Sequence, residues 1–525
     1  MNSNFRTIAR LLLTCLIAAG TFCWADEKDN NPDLQKNFVI IESAHNFNLD
    51  PHTANYSAEA QILTGLYEGL FSYDPITLEP TYALAESYRI SRDKKRWTFT
   101  LREDIKFSDG VSITAEDVKN SWLSLISNPY APYSSLFDIV KGAKEFRTKK
   151  GSSEEVGLYV VDEKTISLHL NTPAGHLPKL LCMPSFAITS EDLSLFTGAF
   201  TISEHTPAYL ILKRNENYYD VKNTRLEQIT ILFSGDDAEN TYAYNAGQVD
   251  WIASGFDEKR LLSKESIHLC AEFATQYFFF KLKEDSIWNN LELRKALLEA
   301  APWEELRANS YVQAQSLVYA LNGYPKIEGY VFTDDFEAKL LMKEARTKLS
   351  IPENENLKIR FAITASDYMR NKAELLKKAW EKLGVTLETI EFDEFDYLNN
   401  IENTDADLFS YTWIGDFADP LAFLELFRGQ STMNVTGWNN EKFNKLLDEA
   451  ALYTDENHNK LLSQAEQLLL DQAMLLPIQH PVSVNIIDLN VVGGWAINAF
   501  DIHPLKYLFK REIKTKIPNI VMLTR

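Results

Sequence analysis

The sequence carries none of the short motifs that mark the common enzyme classes. It has no G-x-S-x-G elbow, no H-E-x-x-H motif, no P-loop and no C-x-x-C pair. The chain holds nine His residues, and a pair such as His45 and His52 lacks the spacing of metal ligands. These absences disfavour the familiar hydrolase, nucleotide-binding and redox chemistries.

Long apolar runs are absent after the N-terminus. Arg6 and Arg10, the apolar residues 11–22 and the small-residue site at Cys23-Trp-Ala25 predict a signal peptide over residues 1–25. That run is too short to span a bilayer, and no later run reaches the roughly 18 residues that a membrane helix needs. We expect cleavage by a peptidase. Lipidation of Cys23 is the less favoured alternative, because the bulky residue before it fits a lipoprotein signal poorly.

Positive charge is in deficit. The 53 Lys and Arg face 74 Asp and Glu for a net charge of −21, and loss of residues 1–25, with two Arg and no acid, brings it to −23. Such a charge opposes nucleic-acid binding. It suits cationic ligands, or it only keeps the protein soluble. After cleavage Cys182 and Cys270 remain, and they are either a disulfide or two free thiols.

Strands and helices alternate throughout the 525 residues, which are too many for one core and predict two or three domains. There is no repeat and no low-complexity linker, so we expect crossing strands to join the domains. The predicted elements are a strand at 38–41, a helix from Ser57, a hairpin over 86–102, a helix with a capping box at Thr114, a parallel βαβ unit over 357–392, and helices near 440–452 and 456–473.

One stretch concentrates polar groups, and it runs from Tyr411 to Pro420. An apolar strand enters it, and an apolar helix leaves it after Pro420. Between them a loop presents Trp413, Asp416 and Asp419. Asp416 or Asp419 can bind a ligand, or can simply cap the helix. As two carboxylates they can also form the acid and base of a secreted glycosidase, although a spacing of three residues favours this weakly.

Several motifs, in order along the chain, resemble those of the family 5 extracytoplasmic solute-binding proteins, the oligopeptide- and dipeptide-binding subunits of ABC importers. The first four lie between residues 66 and 118, two more near residues 212 and 244, and two in the C-terminal helices. They are Leu66-Tyr-Glu-Gly-Leu70, Leu84-Ala-Glu-Ser-Tyr88, the run from Trp97 to Gly110, Thr114-Ala-Glu-Asp-Val118, Leu212-Lys-Arg-Asn-Glu-Asn-Tyr-Tyr219, Tyr244-Asn-Ala-Gly-Gln-Val-Asp250, Glu441-Lys-Phe-Asn-Lys-Leu446 and Ala465-Glu-Gln-Leu-Leu-Leu-Asp471.

The resemblance implies an α/β, two-lobed periplasmic-binding-protein fold with three domains and a ligand in the cleft between the lobes. Residues 26–56, 186–273 and 497–525 would form the core domain of lobe I, residues 57–185 its accessory domain, and residues 274–496 lobe II. It also implies no catalysis, no cofactor and no metal. The expected partners are an oligopeptide and the ABC permease and ATPase, and no nucleic acid. The protein would be a monomer in the periplasm.

The resemblance also points to ligand-binding residues. Asp416, in the late W-x-x-D loop with Trp413, would receive the α-ammonium of a peptide. Tyr130 or Tyr133 would line the same pocket, although both can equally be core aromatics. Phe47, in the turn at residues 46–51, completes the predicted set.

The sequence departs from the family pattern at the other end of the ligand. Oligopeptide binders of this kind carry Arg shortly before the W-x-x-D loop, whereas the span 383–427 has no Lys or Arg and eleven Asp and Glu. Ile401 and Ser410 stand near the places of those Arg. The peptide carboxylate would therefore be held elsewhere or left in water. Alternatively the ligand is a metal chelate, haem or a cationic small molecule.

Overall fold

The structure, a computed structural model, describes residues 36–44, 47–54, 56–393, 397, 401, 403–429, 431 and 433–511. The predicted signal peptide, Cys23 and His45 lie outside these residues. The described chain builds three large sheets of seven, six and four strands. No helix within the described ranges is long and apolar enough to cross a membrane.

Seven strands form the sheet of lobe I. The predicted first strand pairs in parallel with two neighbours, and the remaining pairs are antiparallel. Its Phe38 and Ile40 are buried on one face, as the two-residue period of a strand requires. The spatial order of the strands is Ile267–Ala271, Val482–Ile487, Trp251–Ile252, Asn37–Glu42, Gln228–Phe233, Tyr209–Arg214, Phe200–His205. Lobe I also contains the helices Ser57–Leu66 and Asp237–Asn245, the short helices Lys264–Ser266 and Leu505–Tyr507, and a small strand pair, Val492–Gly493 with Phe509–Lys510.

The accessory domain is a four-stranded antiparallel sheet covered by one long helix. The predicted hairpin is confirmed, since Ala85–Ile90 pairs with Arg96–Leu101. The predicted capping box is confirmed too: the Thr114 hydroxyl accepts from the Asp117 amide, and the Asp117 carboxylate accepts from the Thr114 amide. The other elements are strands Leu158–Asp162, Thr165–His169, Phe71–Tyr73 and Pro80–Tyr82, and helices Ala115–Ser127, Ser134–Ile139, Ala143–Arg147, Ser153–Glu155, Leu177–Leu180 and Pro184–Phe186.

Lobe II is a six-stranded mixed sheet with helices around it. The predicted βαβ unit is confirmed: Leu357–Thr364 and Val385–Phe392 pair in parallel, joined by the helix Asp367–Glu381. The two predicted C-terminal helices are Glu441–Ala450 and Glu456–Asp471. The strands follow one another in the order Val312–Gln313, Leu475–His480, Ala274–Phe280, Leu408–Ile414, Leu357–Thr364, Val385–Phe392. The other helices of the lobe are Ile287–Asn289, Leu291–Glu299, Trp303–Leu306, Asp335–Leu349, Leu421–Leu424 and Glu425–Phe427.

Two chain crossings join the lobes side by side. One passes from strand Ile267–Ala271 to Ala274–Phe280 through Glu272 and Phe273, and the other returns at Pro481. The Glu272 amide donates to the Pro481 carbonyl at 2.9 Å, so the crossings are tied together. Because Val482–Ile487 pairs within the lobe I sheet, we move the predicted end of lobe II from residue 496 to about residue 481. The other domain boundaries stay predictions.

Candidate functional site

Residues 415–420, which we call the Asp416 loop, follow the lobe II strand Leu408–Ile414 and precede the helix Leu421–Leu424. The loop starts against a crossing strand: the Gly415 amide donates to the Phe273 carbonyl at 2.8 Å. A Cβ on Gly415 would lie 2.3 Å from the Phe273 ring, so only glycine allows this approach. The loop is therefore held where the two lobes meet.

The Asp416 carboxylate is largely buried, and no hydrogen bond or ion pair joins it to another of the described residues. Burial raises its pKa to about 6, and no Lys or Arg counters that effect. Its charge in turn helps to raise the pKa values of Tyr133 and Tyr411, after the larger effect of their own burial. Asp416 is thus a desolvated, uncompensated negative charge, an arrangement suited to a cationic group.

Of the predicted aromatic residues, Tyr133 lies near this carboxylate, and Trp413 packs on Tyr411, which also lies near it. Trp413 is fixed by a 2.8 Å hydrogen bond from its Nε1 to the Ala422 carbonyl, and its ring stacks on Tyr411 with 6.0 Å between centroids. Tyr133 reaches the same charge from the accessory domain, where it begins the short helix Ser134–Ile139. Asp416 is therefore bordered by side chains from two domains.

The other two predicted residues lie apart from this group. Tyr130 is 84% exposed on the accessory domain, so of the two tyrosines Tyr133 is the one that faces Asp416. Phe47 stacks on Phe233 at 4.3 Å and packs against the lobe I core. Ligand contacts for Tyr130 and Phe47 stay predictions.

Asp419, three residues further on, has the opposite surroundings. It is fully buried, and its Oδ2 lies 2.8 Å from His458 Nε2 and 3.2 Å from Lys179 Nζ. These positive neighbours hold the pKa of Asp419 well below its usual range, despite burial, and Asp419 raises the pKa of His458. Its Oδ1 accepts from the Leu421 amide at 3.0 Å, which is the predicted contact with the helix start.

This buried cluster links the accessory domain to lobe II. Lys179 belongs to the accessory domain, and its neighbour His176 stacks on Phe417 with 5.4 Å between centroids. Burial lowers the pKa of His176 to about 4. Sequence reasoning missed Lys179, His176 and His458, since no local pattern joins them to the loop. Because Asp419 is sealed in this cluster, it cannot reach a substrate as the partner of Asp416 in glycoside hydrolysis.

The structure also describes the two positions that stand near the expected places of the missing Arg. Ile401 and Ser410 are both buried, and the Ser410 backbone is bonded to the Tyr397 hydroxyl. Nearby cations are already paired, as Lys283 and Arg360 both contact Asp405. Neither of these two cations is therefore left unpaired for an anionic ligand end.

Cys182 and Cys270 are free, buried thiols, so the disulfide alternative is wrong and the free-thiol alternative is confirmed. Burial raises the pKa of both, to about 12 for Cys270, where the charge of Asp501 adds to the effect. Both thiols are therefore protonated at neutral pH.

Known proteins that are similar to this chain in sequence or structure are named as binding proteins. The Bacillus subtilis (strain 168) oligopeptide-binding protein OppA is 26% identical over 481 residues, which cover 85% of this chain and 88% of that protein. The probable deoxycholate-binding periplasmic protein YgiS of Escherichia coli (strain K12) is 26% identical over 546 residues, covering 96% and 98%. The murein tripeptide-binding protein MppA, in its unliganded open form, superposes with a TM-score of 0.79 at 22% identity, covering 91% and 97%.

The structural likeness shows that the fold is the two-lobed fold of these binding proteins. The family pattern described as bacterial extracellular solute-binding proteins, family 5, middle region, matches residues 79–435, which include the accessory domain and the Asp416 loop. The matched span is well over half of the chain. This protein therefore belongs to the bacterial extracellular solute-binding proteins of family 5.

Proposed function

We propose that this protein is the periplasmic receptor of an ABC importer and that it captures oligopeptides by their α-ammonium group. The observation that carries the proposal is the Asp416 carboxylate, largely buried at the junction of the lobes, with its pKa raised to about 6 by burial and no cation against it. A folded chain tolerates such a group where a ligand supplies the missing charge. Relatives named as oligopeptide-binding proteins support the choice of ligand.

The strand that leads to Asp416 offers a backbone edge to an extended ligand. On one side Tyr411 to Ile414 pair with the strand Ala274–Phe280. On the other side the neighbouring strand Leu357–Thr364 pairs only with Leu408 and Phe409, so residues 411–414 have no second strand partner within the described chain. An extended peptide can add itself there as a strand, which gives affinity with little side-chain selectivity.

This edge also sets the direction of the ligand. With its ammonium group at Asp416, a peptide that runs back from Ile414 to Tyr411 lies antiparallel to the lobe II strand. The open edge ends at Ser410, whose backbone is taken by Tyr397. We infer that about three to four peptide residues fit, and that the peptide carboxylate reaches a region without a free cation.

Capture would close the two lobes over the ligand. The paired crossings at Glu272 and Pro481 permit such a hinge motion, and a ligand that contacts both lobes favours the closed state. We propose that the closed form docks on a permease and its ATPase, that the protein acts as a monomer, and that it has no catalytic activity.

Calorimetry with one tripeptide in three forms tests the proposal. Free trialanine should bind, N-acetylation should weaken binding roughly 10- to 100-fold by removing the ammonium charge, and C-terminal amidation should change it little. Asp104→Asn, on an exposed carboxylate, is the matched control for Asp416→Asn. If the folded protein binds no peptide, the function fails; if acetylated and free peptides bind equally, the role of Asp416 fails.

A second candidate keeps the fold and changes the ligand to a non-peptide cation, a metal chelate or haem. The lack of any Lys or Arg between residues 383 and 427 favours it, and a relative named for deoxycholate shows that likeness at this level does not fix the ligand. Mass spectrometry of the ligand retained through purification separates the two. Heterogeneous short peptides would exclude the second candidate, and a single non-peptide compound would exclude the first.

A further inference from the structure

A group of potential metal ligands lies beside the crossing between the lobes, on residues outside the Asp416 loop. Among the described residues, one ligand atom each from Cys270, Asp501 and His503 lie within 4.8 Å of one another. Cys270 is in the strand Ile267–Ala271, directly before the crossing at Glu272. Asp501 and His503 come from the C-terminal segment that returns to lobe I. Two distant parts of the sequence therefore meet at one point.

Neighbouring side chains fix the three ligands in place. Asn485 donates to Asp501 Oδ1 at 2.8 Å and to Cys270 Sγ at 3.7 Å, and it is itself oriented by Trp251 Nε1 at 2.8 Å. The His503 ring stacks on Trp495 with 4.2 Å between centroids, and its Nε2 lies 3.0 Å from Asp501 Oδ1. Such outer contacts are what orient the ligands of metal sites in proteins.

The group is short of positive charge. Glu42 and Glu272 both interact electrostatically with Asp501, so three carboxylates and a thiol share one region. No ion pair among the described residues joins any of these carboxylates to a Lys or Arg; the contact of Asp501 is with His503. A cation at this place would relieve their mutual repulsion.

The His503 ring is fully buried, and its Nε2 faces Asp501. An ion bound by Nε2 would leave the ring proton on Nδ1, which has no hydrogen-bond partner among the described residues. His503 can therefore supply one neutral nitrogen ligand, with Nε2 as the donor atom.

We propose that Cys270, Asp501 and His503 bind a divalent transition-metal ion of the zinc class. Sulfur, nitrogen and oxygen together are the donor set of zinc, whereas calcium and magnesium take oxygen alone. Zinc holds its ligands at about 2.0–2.3 Å in a tetrahedron, so they stand roughly 3.5 Å apart. The three ligand atoms already lie within 4.8 Å of one another, which is close to that spacing.

Metal binding here would stiffen the hinge. It would tie the C-terminal segment to the strand that enters the crossing, next to Phe500, whose ring lies 5.5 Å from Phe273 and 5.6 Å from Tyr73. These two residues belong to the crossing and to the accessory domain. Zinc would bind here whichever ligand occupies the Asp416 site.

The test uses untagged protein stripped with a chelator and then titrated with zinc chloride. Calorimetry and elemental analysis after dialysis should give one zinc per chain, and zinc should raise the unfolding temperature. Cobalt chloride should give the charge-transfer band of a cobalt–thiolate bond, a signal read in the unaltered protein. Peptide binding is measured separately, so failure of one proposal leaves the other intact.

Variants locate the ion. Cys270→Ser and His503→Gln should each weaken zinc binding at least about tenfold and abolish the cobalt band or shift it. Cys182→Ser removes the other buried free thiol and is the matched control, which should behave like the unaltered protein. Circular dichroism checks that each variant is folded. Absence of the cobalt band in the unaltered protein, or equal zinc binding by the unaltered protein and His503→Gln, would overturn the proposal.

Discussion

Replacing Asp416 by Asn should raise the stability of the unliganded protein and weaken its binding of peptides. In the unliganded protein the carboxylate is desolvated and unpaired, and its pKa is about 6 against an ordinary 3.8. Each pKa unit is about 1.4 kcal/mol, so ionisation at neutral pH opposes folding by at most roughly 3 kcal/mol. Residual contact with solvent reduces this figure, and we expect Asp416→Asn to stabilise the unliganded protein by about 1–2 kcal/mol.

Binding should change the other way. A charge-assisted hydrogen bond between Asp416 and an ammonium group contributes about 1.5–3 kcal/mol, and asparagine leaves that ammonium without its counter-charge. Asp416→Asn should therefore weaken peptide binding roughly 10- to 100-fold or more. A residue kept for packing would not raise stability when removed while lowering affinity.

The pH dependence gives a second measure of the same group. The folded pKa of Asp416 lies above the unfolded value, so between pH 3.8 and about 6 the folded state holds a proton that the unfolded state lacks. Through this group, the stability of the unliganded protein falls as pH rises across that window. Affinity for an ammonium ligand rises as pH passes about 6, because only the ionised carboxylate binds it. Asp416→Asn should remove both trends.

Urea unfolding at pH 5 and pH 7.5 measures the first effect, and calorimetry with trialanine measures the second. Asp104→Asn, an exposed substitution with no expected effect, is the control. If Asp416→Asn destabilises the unliganded protein, or binds peptide as tightly as the parent, then Asp416 is a structural residue and the reasoning is refuted.

Three further predictions concern the structure around this carboxylate. Asp419→Asn should cost about 3–5 kcal/mol in urea unfolding, because it leaves Lys179 and His458 buried without their counter-charge; a cost below 1 kcal/mol would contradict this. In a pH series, the contribution of His458 should be lost as pH rises from about 6.5 through its raised pKa, and that of Asp419 as pH falls below about 3.8 toward its lowered pKa; a stability independent of pH at both ends would show that the pair is not formed. Gly415→Ala should lower peptide affinity and cost about 1–3 kcal/mol in unfolding, since its Cβ would overlap the Phe273 ring at 2.3 Å; unchanged affinity would show that the loop position is unimportant.

Elements defined by short-range patterns were predictable from the sequence. The hairpin follows from alternating apolar residues around a polar turn, and the capping box from Thr114 and Asp117 three residues apart. The βαβ unit over residues 357–392 follows from two strands around one amphipathic helix. In each case the interacting groups are close in sequence, so a local pattern contains the whole of the interaction.

Interactions between distant segments were not predictable in the same way. The chain returns to lobe I at Pro481 because Val482–Ile487 pairs with the strand Ile267–Ala271. Neither strand has a sequence pattern that identifies the other as its partner. The same holds for the meeting of Cys270 with Asp501 and His503. Cys270 taken alone was only one of two buried thiols, and its chemistry appears once the fold supplies its neighbours.

The two carboxylates of the Asp416 loop show why residue type alone cannot assign function. Asp416 and Asp419 are the same residue type on one short loop; Asp419 is fully buried and Asp416 is largely buried. Lys179 and His458 satisfy Asp419, so its charge holds the accessory domain to lobe II and is not available to a ligand. Asp416 has Tyr133 and Tyr411 beside it and no cation against it among the described residues, so no positive charge there compensates its desolvation. The difference lies entirely in side chains brought from other parts of the chain. A buried charge for which the fold supplies no counter-charge is therefore a more informative sign of a binding site than the residue type.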